Sequence, residues 1–217
     1  FIQLFHTLMS DRIAVIDFET TGSSPGQGAR ATEVAIVIVE HGLVVDSYQS
    51  LMNGGVWVPP FITQLTGITN AMVSQAPPAE EVMAQASRFV GDTPLVAHNA
   101  PFDRGFWQAE LARAGCAAEQ PFACTVRLSR RLYPDAPNHQ LGTLARFHRL
   151  PSAGRAHRAL ADAQVTAALL LRIQQDLGER WGVAAPGHGF LMALQACAKA
   201  RLPGFMAQHG AAQTVRR

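Results

Sequence analysis

Four carboxylates constrain this chain more than anything else in it: Asp17, Glu19, Asp103 and Asp162 each end or interrupt an apolar run. A charge in such a place is costly unless something compensates it. Asp17 and Glu19 lie in VIDFETTG, Asp103 in AHNAPFDRGF, and Asp162 in AHRALADA, which also carries His157. Carboxylates gathered at the edge of a core share a cation. Four around one site can hold two Mg²⁺ or Mn²⁺ ions, an arrangement suited to phosphodiester chemistry.

The local patterns say where each acid stands. RIAVID (Arg12 to Asp17) is short, apolar and β-branched and reads as a central buried strand. TEVAIVIVE (Thr32 to Glu40) and LVVDSYQSLM (Leu43 to Met52) are two more strands, joined across His41-Gly42 in a hairpin. The stretch from Val58 leads as a connection to a helix over Asn70 to Ser74, and a further helix covers Ala79 to Val90. PLVAHN is a fourth strand and FACT a fifth. Helices follow over Phe102 to Ala114, Val126 to Tyr133, Leu141 to His148 and Ala159 to Leu177. Three strands followed by alternating helices and strands predict an α/β fold with a mixed central sheet flanked by helices. The domain is expected to close near Gly178, so residues 1–178 form the main unit. Residues 179–217 form a linker and a short helical tail.

Residues two apart on a strand share a face, so Asp17 and Glu19 project together. Left bare, such like charges repel and raise a pKa, and bound cations resolve this. Asp103 begins a helix, where it could equally serve as an N-terminal cap. Asp162 sits inside an apolar helix stripe, where it needs a partner: a shared cation, or a salt bridge with Arg158 one turn earlier. His157 stands five residues before Asp162, a turn of about 140° on a helix. The two address one site only if His157 lies in the loop or at the helix start. There it could act as a general base on water, or simply cap.

Composition narrows the class. With 217 residues, 48% hydrophobic and 16% charged, the chain can bury a full core, and its net charge is only +2. The charge is uneven: between Arg127 and Arg158 seven arginines (Arg127, Arg130, Arg131, Arg146, Arg149, Arg155, Arg158) face one acid, Asp135. A basic segment beside an acidic metal site suits a polyanion, the alternative being a solvated helix face. Three separated cysteines argue against a disulfide framework and for a reducing compartment. No stretch approaches a membrane span, and FIQLFHTLMSDR does not read as a signal peptide, so a cytoplasmic protein with no membrane partner is expected.

Taken in order, VIDFETTG, HNAPFD and HRALADA resemble the three exonuclease motifs of the DEDDh family, the DnaQ-like superfamily that includes the proofreading epsilon subunit of bacterial DNA polymerase III. The likeness runs from about Arg12 to Leu177 and includes LTGIT (Leu65 to Thr69) and NHQLGTLARFHRL. It implies an RNase H-like fold and two-metal hydrolysis from a 3′ end, releasing nucleoside 5′-monophosphates. By position, Asp17, Glu19, Asp103 and Asp162 would hold the ions, with Asp17 bridging both, and His157 would be the general base. Thr20, Thr21 and Gly22 would meet the terminal nucleotide, and Leu65, Thr66, Asn99 and Phe102 would line its pocket. His98 would be a scaffold residue. The motif ETTG favours single-stranded DNA in proofreading or repair over RNA 3′-end trimming. The same likeness allows a polymerase subunit that docks through its tail, although no clamp-binding pentapeptide is evident there.

Overall fold

In the computed structural model, which describes residues 12–151, 156–183 and 186–214, the first strand runs on through the acidic pair. β1 (Ile13–Thr20) is buried along nearly its whole length, and its side chains alternate between two cores. Ile13 and Val15 enter one, and Ala14, Ile16 and Phe18 the other. By the same alternation Asp17 and Glu19 continue the row of Ile13 and Val15. β2 (Ala31–Glu40) and β3 (Leu43–Leu51) follow in antiparallel pairing. His41 and Gly42 turn the chain between them at φ 50° and 78°, and two left-handed residues in a row match the twist of the flanking strands. β4 (Leu95–Ala97) and β5 (Phe122–Cys124) add in parallel on the other side of β1. The order is β3-β2-β1-β4-β5, the mixed sheet expected from the sequence, with β1 at its centre.

The stretch expected as a connection after Val58 contains a helix, α1 (Pro60–Thr66). Pro60 in its first turn and Gly67 at φ 76° beyond its end are its start and stop signals. Seven residues are too few for an apolar period to register. α2 (Asn70–Ser74) and α3 (Ala79–Val90) take the bounds read from sequence. α4 (Ala100–Arg113) starts two residues before the expected Phe102 and follows Asn99 at φ 74°. α3 and α4 cover the face of Ile16 and Phe18.

The opposite face is covered by α5 (Thr125–Leu132), α6 (Leu141–His148) and α7 (Ala159–Trp181), with Leu128, Leu144, Ala163, Ala167 and Leu170 in one cluster with Val15 and Val37. α7 passes through Leu177 and Gly178 and stops only at Gly182, φ 68°. Beyond it the chain folds back onto this layer. α8 (His188–Ala196) buries Leu191 and Leu194, and α9 (Leu202–Thr214) adds Met206. Gln195 of α8 closes the open edge of β5: its Oε1 accepts from Cys124 N at 2.7 Å, and its Nε2 donates to Phe122 O at 3.3 Å. A sixth strand would have made equivalent bonds. No helix among the described residues is long and apolar enough to cross a membrane.

Candidate active site

Asp17, Glu19, Asp103, His157 and Asp162 gather at the C-terminal end of β1. Glu19 lies opposite Glu33 in the β1–β2 register, on the side where α7 begins. Glu33 was not singled out from sequence, yet it organises the corner. Arg158 donates to it twice, Nη2 at 2.6 Å and Nε at 3.0 Å, while Ala159 N donates at 3.0 Å and Gln49 Nε2 at 2.8 Å. The Arg158–Asp162 salt bridge weighed from spacing is therefore not formed. Arg158 is the N-cap residue of α7, with extended backbone at φ −132°, so its side chain leaves towards β2 instead of lying along the helix. Asp162, left without that partner, joins Asp17 and Glu19. One oxygen from each of the three lies within 4.8 Å of the others.

Asp103 enters from the other face. It is the fourth residue of α4 and only 2% exposed, and a backbone hydrogen bond links it to Phe18. The helix cap considered for it falls instead on Asn99. His157 sits just outside α7 at φ 59°, exposed, with its N–H donating to Asp162 Oδ2 at 3.1 Å. It thus occupies the loop position that the helical angle demanded.

The electrostatics follow from crowding. Burial, then the charges of Asp103, Glu19, Asp162 and Glu33, push Asp17 well above the usual carboxylate range. Burial, then Asp162 and Glu33, push Glu19 up to about 8, with Arg158 pulling the other way. Burial also raises Asp103 and Asp162, against backbone hydrogen bonds that favour their charged forms. Glu33 is the exception: despite burial, the bonds from Arg158, Gln49 and Ala159 hold it below its ordinary value. Four acids that resist ionisation and supply only oxygen fit a hard divalent cation.

A pH dependence follows. Free Glu titrates at about 4.3 but folded Glu19 at about 8. Between those values the metal-free folded state holds a proton that the unfolded chain has released, so stability falls as pH rises. Burial lowers His98 to about 4 and also lowers His139, His148 and His188. Their contributions have the opposite sign and end near the free-histidine value of about 6.5. From about pH 6.5 to 8, melting in chelator should therefore fall to lower temperature as pH rises. Mg²⁺ or Mn²⁺ should remove the slope and release protons on binding. A flat or rising profile in chelator would show that the cluster stores no proton.

The acids open onto a cleft of about 830 Å³. Thr20, Thr21 and Gly22 form one rim, where Thr20 Oγ1 donates to Gly22 O at 2.7 Å and Thr21 Oγ1 accepts from Arg30 N at 3.0 Å. Leu65, Thr66 and Phe102 line a further wall. The Thr66 hydroxyl is used internally, donating to Ile62 O and accepting from Ile68 N. Trp57 and Phe61, missed in the sequence because they precede and begin the unexpected α1, stand 62% and 65% exposed on the same wall. Asn99 does not join them; it is exposed and lines a separate groove beyond His157. His98 holds α5 and the following loop together, Nδ1 to Thr125 Oγ1 at 2.8 Å and Nε2 to the His139 carbonyl at 3.0 Å, the scaffold part expected of it.

Residues 14–170 match the RNase T exonuclease family. The epsilon subunit of DNA polymerase III from Aquifex aeolicus is 31% identical over 183 residues, covering 84% of this chain and 90% of that one. The PolC-type DNA polymerase III of Caldanaerobacter subterraneus subsp. tengcongensis is 35% identical over 171 residues. That match takes in 79% of this chain but only 12% of the relative, so the chain spans a small part of that protein. The 3′-5′ exonuclease DinG of Bacillus subtilis is 36% identical over 167 residues, 76% of this chain and 18% of DinG. Among solved structures, exonuclease X in complex with 5′ overhanging duplex DNA superposes with a TM-score of 0.64 at 29% identity, covering 84% of this chain and 99% of that one. The chain belongs to the RNase T exonuclease family.

Proposed function

We propose that the chain hydrolyses single-stranded DNA from its 3′ end and releases nucleoside 5′-monophosphates, in proofreading or repair in the cytoplasm. One observation carries this reading: Asp17, Glu19 and Asp162 meet within 4.8 Å at the head of a cleft one wall of which is apolar and exposed. Asp17, Glu19, Asp103 and Asp162 would hold two Mg²⁺ or Mn²⁺ ions, with Asp17 shared. Such ions supply positive charge to the scissile phosphate and acidify a bound water. His157, exposed on the rim and tied through its backbone to Asp162, accepts the proton of the attacking water. Trp57, Phe61, Leu65 and Phe102 offer apolar faces to an unstacked base and its sugar, contacts that tolerate any base. The rim of Thr20, Thr21 and Gly22 lets the nucleotide backbone approach closely.

The epsilon and PolC-type relatives support a second reading, in which the domain serves a DNA polymerase. Docking through the tail would have to use the outer surfaces of α8 and α9, because their inner faces pack on the α7 layer.

The test is digestion of 5′-labelled DNA and RNA strands of one sequence with Mg²⁺, with Mn²⁺ and with chelator. Metal-dependent ladders shortened from the 3′ end of DNA are expected. His157→Ala should lower kcat by about 10²- to 10⁴-fold. Absence of any 3′ shortening would overturn the reading, and cutting of RNA alone would reassign it to RNA trimming.

A further inference from the structure

The arginines between 127 and 158 do not share one role. Arg158 is tied to Glu33. Arg131 donates to the Cys197 carbonyl at 2.7 Å and to the Arg127 carbonyl at 2.8 Å. Arg155 lies outside the described residues. Arg127, Arg130, Arg146 and Arg149 differ from these: all four are exposed, and no carboxylate among the described residues pairs with any of them. By contrast Arg12, Arg30, Arg113, Arg158 and Arg172 each have an acidic partner.

Three of these four, Arg130, Arg146 and Arg149, line one groove of about 1230 Å³, walled by α5, α6 and the start of α7. His98, His157 and Asp162 line it as well as the cleft that holds the acids, so the two spaces meet beside the acidic cluster. Their walls differ in kind. The cleft carries Trp57, Phe61 and Phe102 for stacking, whereas among the described residues no Phe, Trp or Tyr lines the groove, whose only aromatic rings are the imidazoles of His98, His139 and His157. A surface led by guanidinium groups and without large aromatic faces contacts the sugar–phosphate backbone and leaves the bases unread.

We propose that this groove carries the substrate strand on the 5′ side of the scissile bond, with Arg130, Arg146 and Arg149 meeting its phosphates. The assignment rests on the nuclease reading of the adjoining cleft and extends it: the terminal nucleotide is held by apolar contact, and the upstream strand by charge. Affinity then grows with strand length, ignores sequence and weakens with salt. Each phosphate contact to a single strand contributes about −0.7 to the slope of log affinity against log salt.

The experiment compares the parent with an Arg130→Gln, Arg146→Gln, Arg149→Gln triple variant on two substrates. One is a long single-stranded oligonucleotide. The other is the p-nitrophenyl ester of thymidine 5′-monophosphate, which has a terminal nucleotide and a scissile bond but no upstream strand. The ratio of kcat/KM for the oligonucleotide to that for the ester should fall about tenfold or more, and the salt slope should flatten by about 2. An unchanged ratio overturns the proposal.

Binding separates this claim from the nuclease reading. Anisotropy of a labelled strand is measured on Asp17→Asn protein with and without the three arginine changes. If the parent cuts neither substrate but binding still loses about 2 from its salt slope with the arginines, the groove stands and the nuclease reading falls. If both substrates are cut and binding ignores the arginines, the groove assignment alone falls.

Discussion

Asp17→Asn protein is expected to lose activity by about 10³-fold or more and yet, in chelator, to melt at a higher temperature than the parent. Both results have one cause. Asp17 lies on the central strand and feels Asp103, Glu19, Asp162 and Glu33 at once. Folding without metal therefore gathers acids that prefer to be apart and removes them from water. The amide keeps the size and planarity of the side chain and deletes the charge on which the repulsion centres. Relief of such a site stabilises by about 0.5–2 kcal/mol, a rise of roughly 1–8 °C for a domain of this size. The same change removes one of the carboxylates that would hold the ions, and with it the positive charge they would supply to the phosphate. Saturating Mn²⁺ should reverse the order of stability, because only the parent gains from binding. Rates in metal and melts in chelator check the two halves separately. Activity within tenfold of the parent would remove Asp17 from the metal site, and a lower melting temperature in chelator would show that the cluster is not under repulsion.

The acids were legible in the sequence because each breaks a local rule. Asp17 and Glu19 extend an apolar, two-sided strand, and Asp162 interrupts the apolar stripe of α7. The mixed sheet was legible for a related reason: three β-branched runs with short connections precede the first long helical pattern. What escaped were residues whose meaning depends on a distant partner. Glu33 looks like an ordinary polar residue at the start of β2, and only register with Glu19 and the arrival of Arg158, 125 positions later, gives it a role. Spacing suggested Arg158 with Asp162 because one turn of helix is all a sequence displays. It does not display that Arg158 precedes the first helical turn. Trp57 and Phe61 escaped because an exposed ring in a short apolar segment is indistinguishable from a core residue until the fold turns it outward. Asn99, carried over by position to the nucleotide pocket, lies in the adjoining groove because its left-handed backbone ends the β4 connection and starts α4 on that side.

Glu33 should therefore matter to catalysis without touching substrate. It fastens the beginning of α7 to β2 through Arg158 and Ala159 N, and that beginning carries His157 and Asp162. Glu33→Ala would leave a guanidinium and a helix-terminal N–H without their partner in a largely buried corner. Breaking a buried pair from one side costs about 3–5 kcal/mol, enough to threaten the fold. Glu33→Gln is the informative change, since it keeps the shape and one acceptor oxygen, removes the charge, and turns the other oxygen, which takes two donors, into an amide NH2. A shift of about 1 Å in catalytic groups costs about 10²-fold. Glu33→Gln should lower kcat by up to that factor and leave the affinity for thymidine 5′-monophosphate near the parent value, because Phe61, Leu65 and Phe102 of the cleft come from α1 and α4. It should also move the acid limb of the pH–rate profile. Glu33 raises Glu19 and Arg158 lowers it, so removing the Glu33 charge lets Glu19 ionise at lower pH, and activity should persist further into acid. A purely architectural residue would reduce activity equally at every pH. Pairing Glu33→Gln with Arg158→Gln then isolates the coupling: the double variant should be no worse than either single one, since each alone already releases the helix. Additive losses would mean that the two residues act apart, and the alignment of His157 with Asp162 would then have to come from the packing of α7 alone.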